Sequence, residues 1–218
     1  WASPTSWSFN SVTASAQAAY SRVFVFGDSL SDNGNAFILL NGQTEQQPYT
    51  DLIPDEPYAS RTLSNGPIWV DRLPARVSAA TPPPAASLFP GFDFAAGANF
   101  AVGAARSGPL TGVTPNGVPT LLDQVNGLLT VSPNLPSDAL YIAWAAGNDA
   151  RDALELAQAT GNPAAAAAVL QSALFNMDDV LGALAASGAQ HLLVLNMPDV
   201  SRTPAVAAVD AARGDTLA

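Results

Sequence analysis

Four short apolar runs in this chain each stop at a polar turn. Arg22-Val23-Phe24-Val25-Phe26 ends at Gly27-Asp28-Ser29, and Phe92 to Val102 passes into a turn between Gly97 and Gly103. Ala139 to Ala146 ends at Gly147-Asn148-Asp149, and His191 to Leu195 ends between Asn196 and Asp199. Uninterrupted apolar runs rich in β-branched and aromatic residues predict strands buried on both faces, as in a parallel sheet. Between the third and fourth runs lies a capped helix. Asn162 suits the N-cap, Pro163 the first helical position, and Gly188 the left-handed residue that closes the last turn. Leu170, Leu174, Met177, Leu181 and Leu184 mark its expected apolar stripe. Strand, helix and strand in that order make a βαβ unit, so the expectation is α/β with a parallel sheet covered by helices. Ligands of such sheets bind at the carboxyl ends of the strands, so the four turns should share one rim.

Residues 1–21 read as an irregular lead-in, and residues 22–218 as most of a single domain, without internal repeats. Two Pro- and Gly-rich excursions, 41–67 and 81–91, are long enough to be functional or mobile. With 48% hydrophobic residues, the chain can build a sizeable core. Its formal charge is −10, and all eight basic residues are Arg. A chain this acidic is repelled by phosphate backbones, which argues against a nucleic-acid partner. Cysteine is absent, which excludes disulfides, thiolate metal sites and a Cys nucleophile. No apolar stretch reaches the ~20 residues of a membrane helix. The chain opens at Trp1, not Met, as expected for an exported protein whose signal has been removed, or for a trimmed chain.

A Ser directly after a buried strand, with its backbone N–H free, combines a nucleophile and an oxyanion donor in one residue. Ser29 meets that description, although Ser and Asp are also common helix caps. The elbow G-x-S-x-G is not met, because Ser31 stands where its last Gly belongs. A nucleotide-binding reading is weak as well: there is no G-x-x-x-x-G-K-S/T, and Gly97 to Gly103 lacks the G-x-G-x-x-G spacing.

Further blocks separate these alternatives. VFGDSLSDNGN at 25–35 resembles the first block of the GDSL (SGNH) hydrolases, and GANFAVGA at 97–104 resembles their second, with Ala104 in place of the second Gly of a pair. Gly147-Asn148-Asp149 is similar to the third block. Arg61 to Trp69 and Asn196 to Pro204 match connecting segments in the right order. The likeness runs from about residue 22 to 204 and is nearest the secreted lipase, esterase and autotransporter-passenger branch.

The resemblance implies a three-layer α/β/α, flavodoxin-like fold whose C-terminal part is missing from this chain, and an esterase or lipase that needs no cofactor or metal. Ser29 would attack the ester carbonyl. Its backbone N–H, the Gly103 backbone N–H and the Asn148 side-chain amide would hold the oxyanion, with Gly97 a lower-ranked choice for the second donor. Gly103 lets the backbone approach without a Cβ, and Asn148 offers donors without charge. Asp28, Asp32, Asn33 and Asp149 read as supports of the turns. Trp69, Trp144, Tyr49 and Tyr58 are candidates for a pocket lining, Trp144 reading more readily as core.

A serine nucleophile needs a base, almost always His oriented by a carboxylate. The D-x-x-H block in which the family carries both is absent. The chain's one histidine, His191, opens a strand and so belongs on the rim opposite Ser29, on the order of 15 Å away. Its reading is structural. A catalytic Asp and His are therefore expected beyond residue 218, in a C-terminal remainder that completes the fold, and the fragment alone is expected to be nearly inactive. The expected substrate is a small-molecule, lipid or carbohydrate ester, at the cell surface or outside it. The alternative is a non-catalytic binding or surface-display module on the same scaffold.

Overall fold

A computed structural model of the chain describes residues 20–40, 61–77, 79–88, 90–197, 199 and 202–203. The lead-in up to residue 19, residues 41–60 with Tyr49 and Tyr58, and residues 204–218 lie outside the described residues. Strand β1, Val23–Gly27, is buried along its whole length. It pairs in parallel with β2, Gly97–Asn99, on one side and with β3, Leu140–Trp144, on the other. β3 pairs in parallel with β4, His191–Val194, which gives the order β2-β1-β3-β4.

The continuous apolar runs of β1 and β3 become strands with both faces covered. The run expected to be buried at His191 to Leu195 instead forms β4, which is largely exposed among the described residues because only β3 flanks it. Phe24, Phe26, Tyr141 and Ala143 point into a core shared with α3, Leu121–Val131, and α5, Pro163–Ala186. Val23, Val25, Leu140 and Ile142 point the other way, against Ile68, Val70 and Trp69 around the 3-10 turn Trp69–Asp71, and Leu73 of α2, Leu73–Arg76. Burying one such side chain contributes about 1.5–3 kcal/mol, so these alternating faces give each layer its hold on the sheet. The architecture is the expected α/β one, with a parallel sheet between helical layers.

Three further expectations change. The run Phe92 to Val102 is a strand only over Gly97–Asn99. Asp93 turns the chain by accepting the Ala95 N–H, and Gly97 enters the sheet at φ +79 against the Val23 backbone, where a side chain would collide. The apolar stripe of α5 is displaced. Val169, Ala173, Asn176, Val180 and Leu184 are buried, while Leu174 and Phe175 are 73% and 63% exposed. The face turned to α4, Gly147–Thr160, carries Val169 and Ala173, which pack with Ala153 and Leu156. Finally, α3 and α4 are helices that the apolar pattern did not single out. The caps of α5 are as expected: Asn162 accepts the Ala164 N–H at 3.0 Å, and Gly188 takes φ +108.

Among the described residues β4 forms an edge of the sheet, with Leu193 and Val194 about two-fifths exposed. The strand order reverses between β1 and β3. That is the switch point where open parallel sheets leave a crevice at the carboxyl ends of two neighbouring strands.

Candidate active site

Gly27, the last residue of β1, is the register partner of Trp144, the last residue of β3. Any side chain at position 27 would drive into the Trp144 carbonyl oxygen, so glycine is required where the two strands end. Beyond it the chain closes a tight turn. The Ser31 and Asp32 N–H groups both donate to the Asp28 carbonyl at 3.0 Å, and the Leu30 N–H donates to Asp28 Oδ1 at 3.0 Å. Ser29 sits half-buried at the tip of this turn. Neither its N–H nor its Oγ meets a hydrogen-bond partner among the described residues. It is therefore not a helix cap, and the first helix, α1, begins only at Asn35.

Two buried networks hold the turn from below. Asp32 accepts N–H groups from Gly34, Asn35 and Ala36, which fastens the start of α1, Asn35–Leu39. Its Oδ2 also accepts the Gly103 N–H at 2.9 Å. Asn35 donates to the carbonyls of Asn99 and Ala101, and Asn99 donates back to the Ser31 carbonyl and to Asn33 Oδ1. Asn33 in turn donates to the Pro82 carbonyl at 3.0 Å. The expected supports are thus in place, and they tie the turn after β1 to the turn after β2. Sequence reasoning missed Gln124 on α3. Its amide accepts the Gly27 N–H at 2.9 Å and donates to the Gly27 carbonyl at 2.8 Å. Its only signal in the sequence is the capping box Thr120-x-x-Asp123 that starts α3.

The second and third turns interlock in the same way. Gly103 reaches the rim, but its N–H is engaged by Asp32. The next residue, Ala104, adopts φ +62, and its N–H has no hydrogen-bond partner among the described residues. Its carbonyl accepts from Asn116 Nδ2, which fixes the turn. Gly97 belongs to the opposite rim, paired with Val23 at the amino end of the sheet. After β3, Ala146 turns through φ +89 and α4 begins at Gly147. Asn148 Nδ2 donates to the Ala105 carbonyl at 2.8 Å, so one amide hydrogen orients the side chain while the other stays available. Asp149 is fully buried and accepts from both the N–H and the Oγ of Ser107, and Asn176 of α5 donates to the same Oγ. Residues 148 and 149 thereby grip residues 105 and 107.

The turns after β1 and β3 also share their electrostatics. A Cβ built on Gly147 would lie 3.8 Å from Asp28 Oδ2. Burial lifts Asp28 from an ordinary 3.8 to about 6, with a further push from the charge of Asp149. Burial also raises Asp149 and Asp32, each against the pull of the N–H or O–H groups it accepts from. The rim is acidic and dry below the serine. Among the described residues no group of three His, Asp or Glu side chains converges as a metal would require.

His191 lies where expected. It pairs with Leu140 at the amino end of β3, which is level with Val23, and its exposed ring meets the edge of Tyr20 at 5.2 Å. Trp144 crosses Trp69 at 6.0 Å and donates to the Asn196 carbonyl, so it is half core and half rim.

Residues 23–215 match the family model described as GDSL-like Lipase/Acylhydrolase. Over 194 residues the chain is 26% identical to the phosphatidylcholine-sterol acyltransferase of Aeromonas hydrophila, covering 88% of this chain and 48% of that protein. The chain thus spans about half the length of the curated relative it matches.

Proposed function

This chain belongs to the GDSL-like lipase/acylhydrolase family, and from that premise we propose that it carries the nucleophile half of a carboxylic ester hydrolase working through a serine acyl-enzyme. The observation that carries the reading is that Ser29, whose hydroxyl and N–H meet no partner among the described residues, follows β1 on the same rim as the turn after β3 that carries the tethered amide of Asn148. Ser29 Oγ attacks the ester carbonyl and gives up its proton to a base. The oxyanion is held by the Ser29 N–H, the free hydrogen of Asn148 Nδ2 and the turn 103–104. In that turn Ala104 supplies the donor, because Asp32 occupies the Gly103 N–H. Collapse of the intermediate expels the alkoxide, which is protonated as it leaves, and water then releases the acid.

The base comes from outside these 218 residues, because His191 stands on the wrong rim. The remainder of the polypeptide completes the edge left by β4, and the fragment alone turns over slowly. The relative named as an acyltransferase supports a second outcome for the same acyl-enzyme, capture by an alcohol instead of water.

The test is fluorophosphonate labelling and hydrolysis of p-nitrophenyl acetate and butyrate by the complete polypeptide and by its Ser29→Ala variant. The expected result is a label on the Ser29 peptide and turnover that vanishes in the variant. An unlabelled Ser29 in the complete polypeptide would instead favour the binding-module reading. Addition of an acceptor alcohol separates hydrolysis from transfer by the ratio of acid to new ester.

A further inference from the structure

The Ala104 N–H lies in a turn whose backbone is pinned on both sides of it. The Ala105 N–H donates to the Val102 carbonyl at 3.1 Å and closes the turn. Asp32 takes the Gly103 N–H, Asn116 Nδ2 donates to the Ala104 carbonyl at 3.0 Å, and Asn148 Nδ2 donates to the Ala105 carbonyl at 2.8 Å. Ala104 itself stands at φ +62, where a residue with a Cβ remains only while its surroundings hold it. Asp32 and Asn148 belong to the blocks that carry the family resemblance. Asn116 belongs to none of them.

Asn116 is itself fixed from below. Its Oδ1 accepts the Val118 N–H at 3.1 Å, and Val118 is buried in a cluster with Ala36, Val102 and Ala105. Two residues earlier the Thr114 carbonyl accepts Arg106 Nη1 at 2.7 Å, and Arg106 Nε is ion-paired with the buried Asp152 of α4. Leu110 and Val113 of the same segment pack in one cluster with Ala153 of α4 and Val169 of α5.

Through these links α4 reaches both turns. Asn148 stands in its first turn, and Asp152, one turn on, grips Arg106, which holds the segment whose Asn116 ends on the Ala104 carbonyl. Without that last link Ala104 is free to relax to negative φ, and its N–H turns with it. Glycine tolerates either sign of φ and would not need the link.

We propose that Asn116 is a positioning residue of the oxyanion hole, one that acts through the Ala104 carbonyl to keep the Ala104 N–H aimed at the acyl oxygen. The inference rests on the Ser29 acyl-enzyme reading and deepens it. Asn116 itself contacts no substrate. Its contribution is to keep a strained donor in place before the oxyanion forms, so its loss is felt in the chemical step and not in substrate binding.

The experiment measures p-nitrophenyl butyrate hydrolysis by the complete polypeptide and by Asn116→Ala, alone and combined with Ala104→Gly. Asn116→Ala should lower kcat about 5–30-fold, the factor equivalent to the ~1–2 kcal/mol that left-handed φ costs a residue with a Cβ. KM should stay within about twofold, as for an interaction that counts only in the transition state. In the Ala104→Gly background the same substitution should cost less than about threefold, because glycine carries no such strain. A role confined to the fold of the segment would cost the same in both backgrounds. If Asn116→Ala loses the circular dichroism of the parent, Asn116→Ser decides, since its hydroxyl still accepts the Val118 N–H but is too short to hold the Ala104 carbonyl. Parent-like kcat in the deciding variant, or an equal loss in both backgrounds, overturns the proposal. Turnover retained by Ser29→Ala removes the acyl-enzyme reading and this proposal with it. Turnover that depends on Ser29 but not on Asn116 removes this proposal alone.

Discussion

Gln124 closes on both sides of the Gly27 peptide, accepting its N–H at 2.9 Å and donating to its carbonyl at 2.8 Å, from 97 residues away. β2 ends at Asn99, level with Val25, so β1 outruns its neighbour by two residues. The Val102 N–H still reaches the Gly27 carbonyl at 3.2 Å, and the amide of Gln124 shares that carbonyl and supplies the acceptor for the Gly27 N–H at the point where the chain turns toward Ser29.

Replacing Gln124 by Ala leaves the Gly27 N–H buried and unpaired, which should lower stability by about 1–3 kcal/mol in urea denaturation. Gln124→Glu keeps the acceptor but sets a buried carboxylate oxygen against the Gly27 carbonyl, so it should be destabilised as well at neutral pH. Parent-like stability of Gln124→Ala would show that the turn does not rest on this amide.

Under the proposed mechanism Asn148→Ala removes one oxyanion donor and should lower kcat of the complete polypeptide about 10²–10³-fold with little change in KM. Its stability should fall by only about 1 kcal/mol, the worth of the single bond to Ala105. A rise in KM at constant kcat would assign Asn148 to ordinary substrate binding.

Ala104 holds φ +62, a conformation that costs a residue with a Cβ about 1–2 kcal/mol. Ala104→Gly relieves that strain, offset in part by the greater freedom of glycine in the unfolded chain, and should leave stability unchanged or raise it by about 1 kcal/mol. The N–H is retained, so hydrolysis should be retained as well. Marked destabilisation in thermal melts would mean that the Ala104 methyl carries packing that outweighs the strain.

Burial keeps Asp28 protonated to about pH 6, where an exposed carboxyl titrates near 3.8. The folded state therefore binds this proton more tightly than the unfolded one. The stability it contributes is present at low pH and is lost as pH rises from about 4 to 6, on the order of 3 kcal/mol. Asp28→Asn keeps the acceptor for Leu30 and should flatten this part of the stability profile. Parent and variant profiles that run parallel between pH 4 and 6 would contradict the placement of Asp28 in a dry site.

His191→Ala should leave ester hydrolysis by the complete polypeptide unchanged and cost no more than about 1 kcal/mol, the worth of its edge contact with Tyr20. A collapse of kcat without loss of fold would make His191 the base after all.

β1 and β3 could be read from the chain because a strand buried on both faces carries a short uninterrupted apolar run rich in β-branched and aromatic residues, and β4 carries the same run although its faces stay largely exposed. The caps of α5 were legible for the same local reason, since Asn162, Pro163 and Gly188 act on neighbours within a few residues. The turns that carry Ser29 and Asn148 followed from where those runs stop. The face of α5 did not follow, because its buried side runs through Val169, Ala173, Asn176, Val180 and Leu184, and only contact with α4, α3 and Ser107 selects it. Nor did the engagement of the Gly103 N–H by Asp32, 71 residues away, or the hold of Gln124 on Gly27. Propensity, periodicity and capping are short-range energies and are written along the chain. Which N–H is left free to meet an oxyanion depends on which distant carboxylate or amide reaches it first, and only the packed layers bring those groups within 3 Å.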